Sequence, residues 1–440
     1  MRILQTFFCE GGNAPPQLAV LRRLVERGHD VRALSHDKAR APVEERGATF
    51  VPFRDTLPGL DLSRPETDEV RDWEPRFPLA KAARFRDAAV RGPLVANALE
   101  VRRLLDEWAA DGWVPDAVVL DILLLGTAAA GERAGVATVA LSHCPYPLPV
   151  RGAPPLGSGL RPARGPLGRA REAALRAVTE RFYAPALATL NEARSRLGLP
   201  PLDAYAQGLL GCDALLVMTA PELDFSSRGE LPPNVHYTGP ALEPAAVPWT
   251  SPWPADNADP LVLISFSTTY MNQRDFARRA LQAVAGLPVR ALLTTGPALD
   301  LAGIDVPANA RVVPFAPHAA VLPHAALTVT HAGWATVQAS LAAGVPLVCM
   351  PDARDQPDNA ARVVEAGAGI RVRRNARPDT LRRAIRSALG DPALRAGAER
   401  MAAVLNRTDG ADGVVDRIEQ LAHASGDPVV AGPVSRRQSN

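Results

Sequence analysis

The first half of the chain alternates short runs of apolar residues with longer segments in which apolar residues recur at helical spacing. A helix over 16–27 places Leu18, Leu21 and Leu24 on one face, and Gly28 ends it. Further helices are predicted over 93–110 and 169–197. The apolar runs predict strands at 3–8, 30–34, 48–52, 117–121, 136–141 and 214–219. Strands that alternate with helices in this way form a parallel sheet with helices on both faces.

The same alternation returns after residue 260. It predicts a helix over 272–284 and strands at 261–266, 289–295, 312–313, 327–330 and 347–350. A last helical stretch, over 392–424, is expected to pack back across the interface between the two halves. The proline-dense segment 241–260 predicts a semi-rigid linker. We therefore expect two doubly wound α/β domains, over 1–240 and 261–425, and a disordered tail over 426–440.

Composition agrees with this division, because 440 residues suit two domains of roughly 200 residues each. A hydrophobic content of 47% and a mean hydropathy of −0.04 are typical of globular proteins in water. The 49 Lys and Arg nearly balance the 47 Asp and Glu, and no long basic block occurs, so no nucleic-acid partner is expected. The 42 prolines, with abundant Ala and Arg, indicate a GC-rich genome such as that of an actinomycete.

The four cysteines lie far apart without Cys-x-x-Cys spacing, so neither a disulfide framework nor a metal site is expected. Glu10 interrupts the apolar run at the N-terminus, which predicts a first strand and not a secretion signal. Asp121 breaks the most hydrophobic stretch, 117–130, so no membrane partner is expected. A cytoplasmic protein is the expectation, and the oligomeric state is left open, a homodimer included.

The clearest chemical motif is the run from His331 to Thr336, which directly follows a predicted strand. A glycine-containing turn after a strand and before a helix directs free N–H groups at a phosphate. His331 can add a ring N–H, and Thr336 can add a hydroxyl. Ser267 and Thr268 make a second turn of this kind after the strand at 261–266, although an ordinary helix cap explains them equally well.

A carboxylate and an amide, Asp355 and Gln356, follow the next strand and can bind adjacent sugar hydroxyls. A phosphate site at one end and a sugar site at the other predict a nucleotide-sugar site. The alternative, a plain strand-turn-helix unit of an α/β sheet, explains the glycine and the threonine but not the carboxylate–amide pair.

These residues, in this order, resemble the donor signature of family-one glycosyltransferases, enzymes of the GT-B fold that use UDP- or dTDP-sugars. The resemblance implies two Rossmann-like doubly wound domains that face a central cleft, with the acceptor on the N-terminal domain and the nucleotide sugar on the C-terminal domain. It implies that Phe315 packs on the base, that His331 and Thr336 contact the diphosphate, and that Asp355 and Gln356 hold the sugar. The other implied donor positions are Ala316, Gly333, Trp334 and Ala335.

The chain departs from the family pattern in both domains. Ala339 stands where the family commonly has a Glu for the ribose hydroxyls, so water or Gln338 would have to hold the ribose. Ala335 stands where the family has Asn or Gly. In the first domain, Asn13 occupies the position of the histidine that accepts the acceptor's proton, while Asp121 matches the carboxylate that orients that histidine. A neutral amide cannot take a proton, so this position supplies no general base.

Three accounts of Asn13 stay open: an acceptor reactive enough to need no base, a substitute base, or a protein that assists a partner transferase. Among substitutes we favour Asp121 over Glu10, a residue of the same turn, and over His143, for which a loop or core position is the simpler interpretation. Two irregular segments, 54–86 and 150–168, are candidate acceptor loops. Trp73, Phe77 and Phe85 of the first either line an acceptor pocket or fasten the loop to its own domain.

The resemblance implies an inverting, metal-independent transfer of sugar to a small, largely apolar natural product, with no resident cofactor. The alternative is a non-catalytic GT-B protein that binds nucleotide sugar or assists a partner glycosyltransferase. An epimerase of the same fold is a third interpretation, which the apolar acceptor loops disfavour.

Overall fold

The computed structural model describes residues 1–57, 60–245 and 247–426, and it contains two parallel sheets. The first has strand order β3-β2-β1-β4-β5-β6-β7, and the second has β10-β9-β8-β11-β12-β13. The first sheet consists of β1 (Arg2–Thr6), β2 (Asp30–Ser35), β3 (Thr49–Pro52), β4 (Ala117–Asp121), β5 (Ala137–Ser142), β6 (Ala214–Val217) and β7 (Val235–Tyr237). The second consists of β8 (Leu261–Ser265), β9 (Arg290–Thr294), β10 (Ala310–Val313), β11 (Ala325–Thr330), β12 (Leu347–Cys349) and β13 (Gly369–Arg371).

Helices connect the strands on both faces of each sheet, as right-handed parallel crossovers require. The first domain has α1 (Ala14–Glu26), α2 (Arg40–Glu44), α3 (Pro78–Phe85), α4 (Leu94–Ala110), α5 (Leu125–Ala134), α6 (Pro166–Phe182), α7 (Ala184–Arg196) and α8 (Ala206–Leu210). The second has α9 (Arg274–Val284), α10 (His318–Val321), α11 (Trp334–Ala342), α12 (Gln356–Glu365), α13 (Pro378–Gly390) and α14 (Pro392–Leu405). The last helix is α15 (Gly410–Gly426).

The strand order reverses between β1 and β4 in the first sheet and between β8 and β11 in the second. Ligands bind at such a reversal, beyond the carboxyl ends of the strands. The two reversals face one another so closely that a Cβ on Gly11, after β1, would lie 2.7 Å from the Thr269 methyl carbon, after β8. Gly11 has a φ of +52°, and only glycine adopts that conformation here without strain or collision.

The end of the chain returns to the first domain. The buried Ala411, Val414, Val415 and Ile418 of α15 pack into the same apolar cluster as α1. The predicted single helix over 392–424 is therefore two helices. Asp409 begins the second one, where its carboxylate accepts a hydrogen bond from the Ala411 N–H at 2.9 Å.

Several predicted boundaries need correction. The strand predicted at 214–219 is not the last strand of the first sheet, because the short edge strand β7 pairs beyond it. The edge strand β13 of the second sheet was also not predicted. The segment predicted as irregular over 54–86 contains α3, in which Lys81 is the one buried residue and the apolar Leu79, Ala82 and Phe85 line the cavity between the domains. The expected disordered tail lies outside the described residues apart from Gly426. Within the described part of the chain, no helix is both long and apolar enough to cross a membrane.

Candidate active site

A cavity of about 1180 Å³ lies between the two domains. All the predicted donor positions line it, and so do Glu10, Asn13, His143 and Phe85 from the first domain. The donor positions are Ser267, Thr268, Phe315, Ala316, His331, Gly333, Trp334, Ala335, Thr336, Asp355 and Gln356. The fold thus brings residues from the carboxyl ends of both sheets to one cavity.

The N-terminus of α11 directs unused N–H groups into this cavity. Val337 is the first residue of the helix to make a helical hydrogen bond, to the Gly333 carbonyl at 3.0 Å. No side chain caps the three preceding amides, so they and the helix dipole can receive an anion. A side chain at Gly333 is excluded, because its Cβ would lie 2.6 Å from Nε2 of His331. The glycine therefore keeps the His331 ring beside the helix end.

His331 is uncharged at neutral pH. Burial lowers its pKa to about 4, and the nearby Arg354 cation acts in the same direction against a hydrogen bond to the Ser265 backbone. The Thr330 hydroxyl lies 3.4 Å from Nδ1. A neutral imidazole carries one N–H, so His331 can offer a phosphate a hydrogen bond but not a positive charge.

The sugar end of the site is formed at the start of α12. One oxygen of Asp355 accepts a hydrogen bond from the Asn359 amide at 2.8 Å, and the same amide donates to the Ala332 carbonyl at 3.0 Å. The side-chain oxygen of Gln356 accepts from the Asp352 N–H at 2.9 Å, while its amide nitrogen lies 3.3 Å from the Met271 sulfur. The other Asp355 oxygen is thus available to a ligand in the cavity, whereas Gln356 chiefly fixes the loop that precedes α12.

The nucleoside end is apolar and open. The Phe315 ring is 76% exposed at the rim of the cavity, whereas Ala316 is buried. Gln338, which was suggested as a group that could hold the ribose, also lines the cavity and has partners within the protein. In the orientation that satisfies its amide, its oxygen accepts from the Trp334 indole N–H at 3.0 Å and its nitrogen donates to the Thr219 hydroxyl at 2.8 Å.

On the opposite wall, His143 lines the cavity with Asp121 behind it. Oδ1 of Asp121 lies 3.5 Å from Nδ1 of His143 and accepts the Leu123 N–H at 2.9 Å. Burial raises the pKa of Asp121, whereas His143 lowers it. The Asp121 side chain is fully buried and the His143 side chain is 12% exposed. A role for Asp121 as the direct base does not fit this burial, since the carboxylate reaches the cavity only through His143.

Glu10 and Asn13 have other surroundings. Glu10 is buried, forms an ion pair with Lys38, and accepts the Leu62 N–H at 3.4 Å with its second oxygen. Asn13 precedes α1 without capping it and lines the cavity. Asn13 can therefore orient an acceptor by hydrogen bonding, while Glu10 holds the acceptor loop.

Sequence and structure comparisons agree with this geometry. Residues 281–421 match the family model described as erythromycin biosynthesis protein CIII-like, C-terminal domain. The chain is 31% identical over 417 residues to 4'-demethylrebeccamycin synthase of Lentzea aerocolonigenes, which covers 93% of this chain and 97% of that protein. It is also 31% identical to demethyllactenocin mycarosyltransferase of Streptomyces fradiae, over 42% of this chain and 41% of the relative. The chain belongs to the natural-product glycosyltransferases.

Solved structures place this glycosyltransferase in the GT-B fold. The glycotransferase of kitacinnamycin superposes with a TM-score of 0.73 at 24% identity, over 95% of this chain and 98% of that one. The glycosyltransferase VinC, solved in complex with dTDP, gives 0.69 at 21% identity, over 96% of this chain and all of that one. The predicted fold, two Rossmann-like domains facing a cleft, is confirmed.

Of the three aromatic residues predicted for the acceptor side of this glycosyltransferase, one lines the cavity. Phe85 lines the cavity. Trp73 lies outside it, packs edge-on against Tyr270 with ring centroids 4.9 Å apart, and donates to Asp68 at 2.8 Å. Phe77 also lies outside and is 69% exposed. The apolar acceptor wall comes mainly from residues that the sequence did not single out: Leu57, Leu60, Leu62, Val70, Val90, Ile122, Leu123, Leu156, Leu175, Val178 and Phe182.

A buried ion pair between the domains was also missed. Arg354 makes two hydrogen bonds of 2.8 Å to the two oxygens of Asp72, which is buried in the acceptor loop, and a third of 3.2 Å to the Thr269 hydroxyl. Beside it, Lys81 lies 3.2 Å from both oxygens of Asp352. Arg354 directly precedes Asp355, so the segment 54–86 of the first domain is tied to the loop that carries this carboxylate. Nothing in the sequence joins residues this far apart.

Proposed function

We propose that this glycosyltransferase moves a sugar from a UDP- or dTDP-sugar to a small, largely apolar natural product, with inversion and without a metal. One observation carries the proposal: the N-terminal end of α11 and His143, behind which Asp121 lies, line the same cavity from opposite domains. The dTDP bound to VinC supports the donor class. The relatives' names, which refer to rebeccamycin and lactenocin compounds, support the acceptor class.

The donor is expected to bind with its diphosphate at the amides of 334–336, the ring N–H of His331 and the Thr336 hydroxyl. These groups stabilise the negative charge that develops on the leaving diphosphate. Asp355 accepts hydrogen bonds from the sugar hydroxyls. Because protein groups supply this stabilisation, the proposed reaction needs no metal.

The acceptor is expected to bind against the apolar wall with its nucleophilic group at His143. His143 and Asp355 both line the cavity, which supports a reaction between groups held at these two residues. The free ring nitrogen of His143 takes the acceptor's proton, and Asp121 stabilises the imidazolium that forms. The acceptor atom bonds to the anomeric carbon as the bond to the diphosphate oxygen breaks, which inverts the anomeric centre.

The proposal is tested by turnover of a panel of UDP- and dTDP-sugars with phenolic and macrolide-like acceptors, in the presence of EDTA. Mass spectrometry is expected to detect a glycoside, and proton coupling constants are expected to give the inverted anomeric configuration. A product that forms only after a divalent metal is restored contradicts metal independence. Retention of configuration contradicts the single displacement.

Asn13 is the observation that favours the second candidate, a non-catalytic protein that binds nucleotide sugar or assists a partner. The same panel separates the two candidates. Nucleotide binding without product from any acceptor, measured by calorimetry beside the turnover assay, supports the second. Products that form without a partner protein support the first.

A further inference from the structure

A short segment of the first domain, residues 155–161, extends to the second domain and lies on α12. We call this segment the strap. Its residues 155–158 line the cavity between the domains, and one of them, Leu156, also packs against the core of the first domain. The position of the strap therefore determines part of the apolar wall at which the acceptor is proposed to bind.

The side chain of Asp358 fixes the strap to α12. Its Oδ2 accepts a hydrogen bond from the Gly157 N–H at 2.8 Å, and its Oδ1 accepts one from the Gly159 N–H at 3.0 Å. Asp358 is buried, with 2% of its surface exposed. A Cβ on Gly159 would lie 2.7 Å from Cβ of Pro357, so at this glycine the strap backbone lies directly on the helix.

Only an ionised carboxylate completes both of these hydrogen bonds. Both of its oxygens accept, whereas a protonated carboxyl or an amide replaces one acceptor by a donor that would face a strap N–H. The strap has two further contacts with the second domain: Arg371 donates to the Gly159 carbonyl at 2.9 Å, and Arg161 pairs with Glu365. Both arginines are exposed, so their contacts stabilise the strap less than the buried carboxylate does.

Asp358 does not line the cavity, although Asp355 and Gln356 at the start of the same helix do. In the proposed complex it therefore touches neither substrate and can act on the reaction only through the strap. We propose that Asp358 is a positioning residue for the acceptor: its carboxylate holds the strap, and the strap holds Leu156 in the acceptor wall. This inference rests on the proposed function and adds to it a residue of the second domain that controls acceptor binding on the first.

The charge on Asp358 depends on pH in a range that an assay can reach. Burial raises its pKa to about 6, Arg362 and the two strap N–H groups oppose the rise, and Asp355 adds to it. Since the strap bonds favour the charged carboxylate, the charge in turn favours the strap bonds, and protonation below pH 6 weakens them. The other charged side chains around this contact are those of Arg371, Asp224, Arg161 and Glu365.

The test compares Asp358→Asn with the wild type on the phenolic or macrolide-like acceptor that the turnover panel converts fastest. At pH 7.5 we expect the KM for this acceptor to rise by at least about fivefold, because the amide keeps only one of the two strap bonds. We expect kcat and the calorimetric nucleotide affinity to change by less than about twofold. Asp391→Asn, at a carboxylate that accepts the Ala393 N–H at the start of α14, is the matched control and is expected to keep the wild-type KM.

The dependence on pH separates this role from a general loss of structure. At pH 5 the wild-type carboxyl is largely protonated, so the ratio of the variant's KM to the wild-type KM is expected to fall below about twofold. Effects of pH on His143 are common to both proteins and cancel in this ratio. A ratio that is the same at pH 5 and pH 7.5 overturns the inference.

A second variant approaches the same contact from the strap. Gly159→Ala forces the strap away from Pro357 and is expected to raise the KM for acceptor about as much as Asp358→Asn does. The double variant is expected to exceed neither single variant, because both break one contact. If Asp358→Asn does not fold, Gly159→Ala decides by its KM.

Two outcomes distinguish this inference from the proposed function. A wild-type KM for acceptor in Asp358→Asn at pH 7.5, with product still formed, overturns the inference and leaves the proposed function intact. Absence of product from every acceptor of the panel in the wild type overturns both.

Discussion

Two histidines face the cavity from opposite domains, and their surroundings give them opposite tasks. His331 is buried near the Arg354 cation, and its pKa of about 4 keeps it a neutral hydrogen-bond donor. His143 lies with its Nδ1 3.5 Å from Oδ1 of the buried Asp121 carboxylate. In the proposed mechanism, one residue type serves as hydrogen-bond donor to the leaving group on one wall and as proton acceptor on the other.

Substitution of His143 or Asp121 should slow sugar transfer without weakening the binding of the donor. We expect His143→Gln to lower kcat by about 10²- to 10⁴-fold and Asp121→Asn by at least about tenfold, because only the first removes the base itself. Steady-state kinetics and calorimetric nucleotide affinity measure the two effects. Full turnover in His143→Gln would remove this residue from the mechanism. A weakened nucleotide affinity would indicate a structural role.

Gly333 offers a test of the donor site. In Gly333→Ala, the new Cβ would lie 2.6 Å from the His331 ring, so the ring must move away from the diphosphate. We expect nucleotide affinity and kcat/KM to fall together, by roughly tenfold or more, in a protein with a nearly unchanged Tm. Gly390→Ala, where no atom lies within 4 Å of the added Cβ, is the control. Wild-type affinity in Gly333→Ala would contradict the placement of His331.

At the scale of residues, the contacts that could be predicted from the sequence are those within contiguous motifs. The predicted donor residues from His331 to Thr336 and from Asp355 to Gln356 follow β11 and β12, two successive strands of one sheet, so local spacing alone predicts that these two groups meet. The relation of His143 to Asp121 depends on the adjacency of β4 and β5 and on how deeply each side chain is buried. Burial was not available from spacing, which is why the sequence favoured Asp121 over His143.

At the scale of elements, α12 and the loop before it connect the proposed donor side of the cavity to the proposed acceptor side. Arg354 enters this loop with a φ of +55°, in the left-handed region, and makes its bidentate pair with Asp72. Further along α12, buried Arg362 bonds Asp224 at 2.7 Å. The helix that carries the sugar carboxylate is thereby fixed to loops of the acceptor domain.

Breaking the Asp72–Arg354 ion pair should weaken acceptor binding more than donor binding. Asp72→Asn removes the charge that compensates a largely buried guanidinium, which costs a few kcal/mol. We expect a lower Tm and a KM for acceptor raised by at least about fivefold, with nucleotide affinity changed by less than twofold. The control is Glu222→Gln, which breaks the exposed interdomain pair with Arg407 and is expected to have little effect. Equal behaviour of the two variants would argue against a role for Asp72 in positioning the acceptor loop.

The elements that the sequence did not predict share one physical property. β7 and β13 are three-residue edge strands, and α3 buries only the Lys81 that bonds Asp352. Strand pairing and ion contacts with distant residues determine their positions, and each element is too short for local spacing to define it. The central strands are fully buried on both faces, as β4 is, and the sequence predicted them within one or two residues.

At the scale of the whole molecule, buried neutral histidines make stability depend on pH. Burial lowers the pKa of His36 to about 4, and its ring packs on Phe8 and Phe53 at 5.4 and 5.1 Å. In the unfolded chain a histidine gains a proton near pH 6.5, whereas folded His36 and His331 gain one only near pH 4. Their contribution to the free energy of unfolding is therefore full above pH 6.5 and is lost on acidification. Asp358 acts oppositely, because burial raises its pKa to about 6.

The His36 contribution can be isolated by substitution. His36→Phe keeps an aromatic ring in the cluster and cannot titrate. We expect the wild-type Tm to fall more than the variant's Tm between pH 7.5 and pH 5, measured by calorimetry at matched ionic strength. Parallel decreases in the two proteins would show that protonation of His36 does not contribute.

The return of α15 to the first domain has a consequence for biosynthesis. Residues 1–240 emerge from the ribosome well before the residues that form α15. Val414, Val415 and Ile418 of α15 nevertheless complete the apolar cluster beneath α1. Until they emerge, the nascent first domain exposes that part of its core to water. The domain that is made first is therefore among the last to become complete, and in this interval it offers an apolar surface to chaperones.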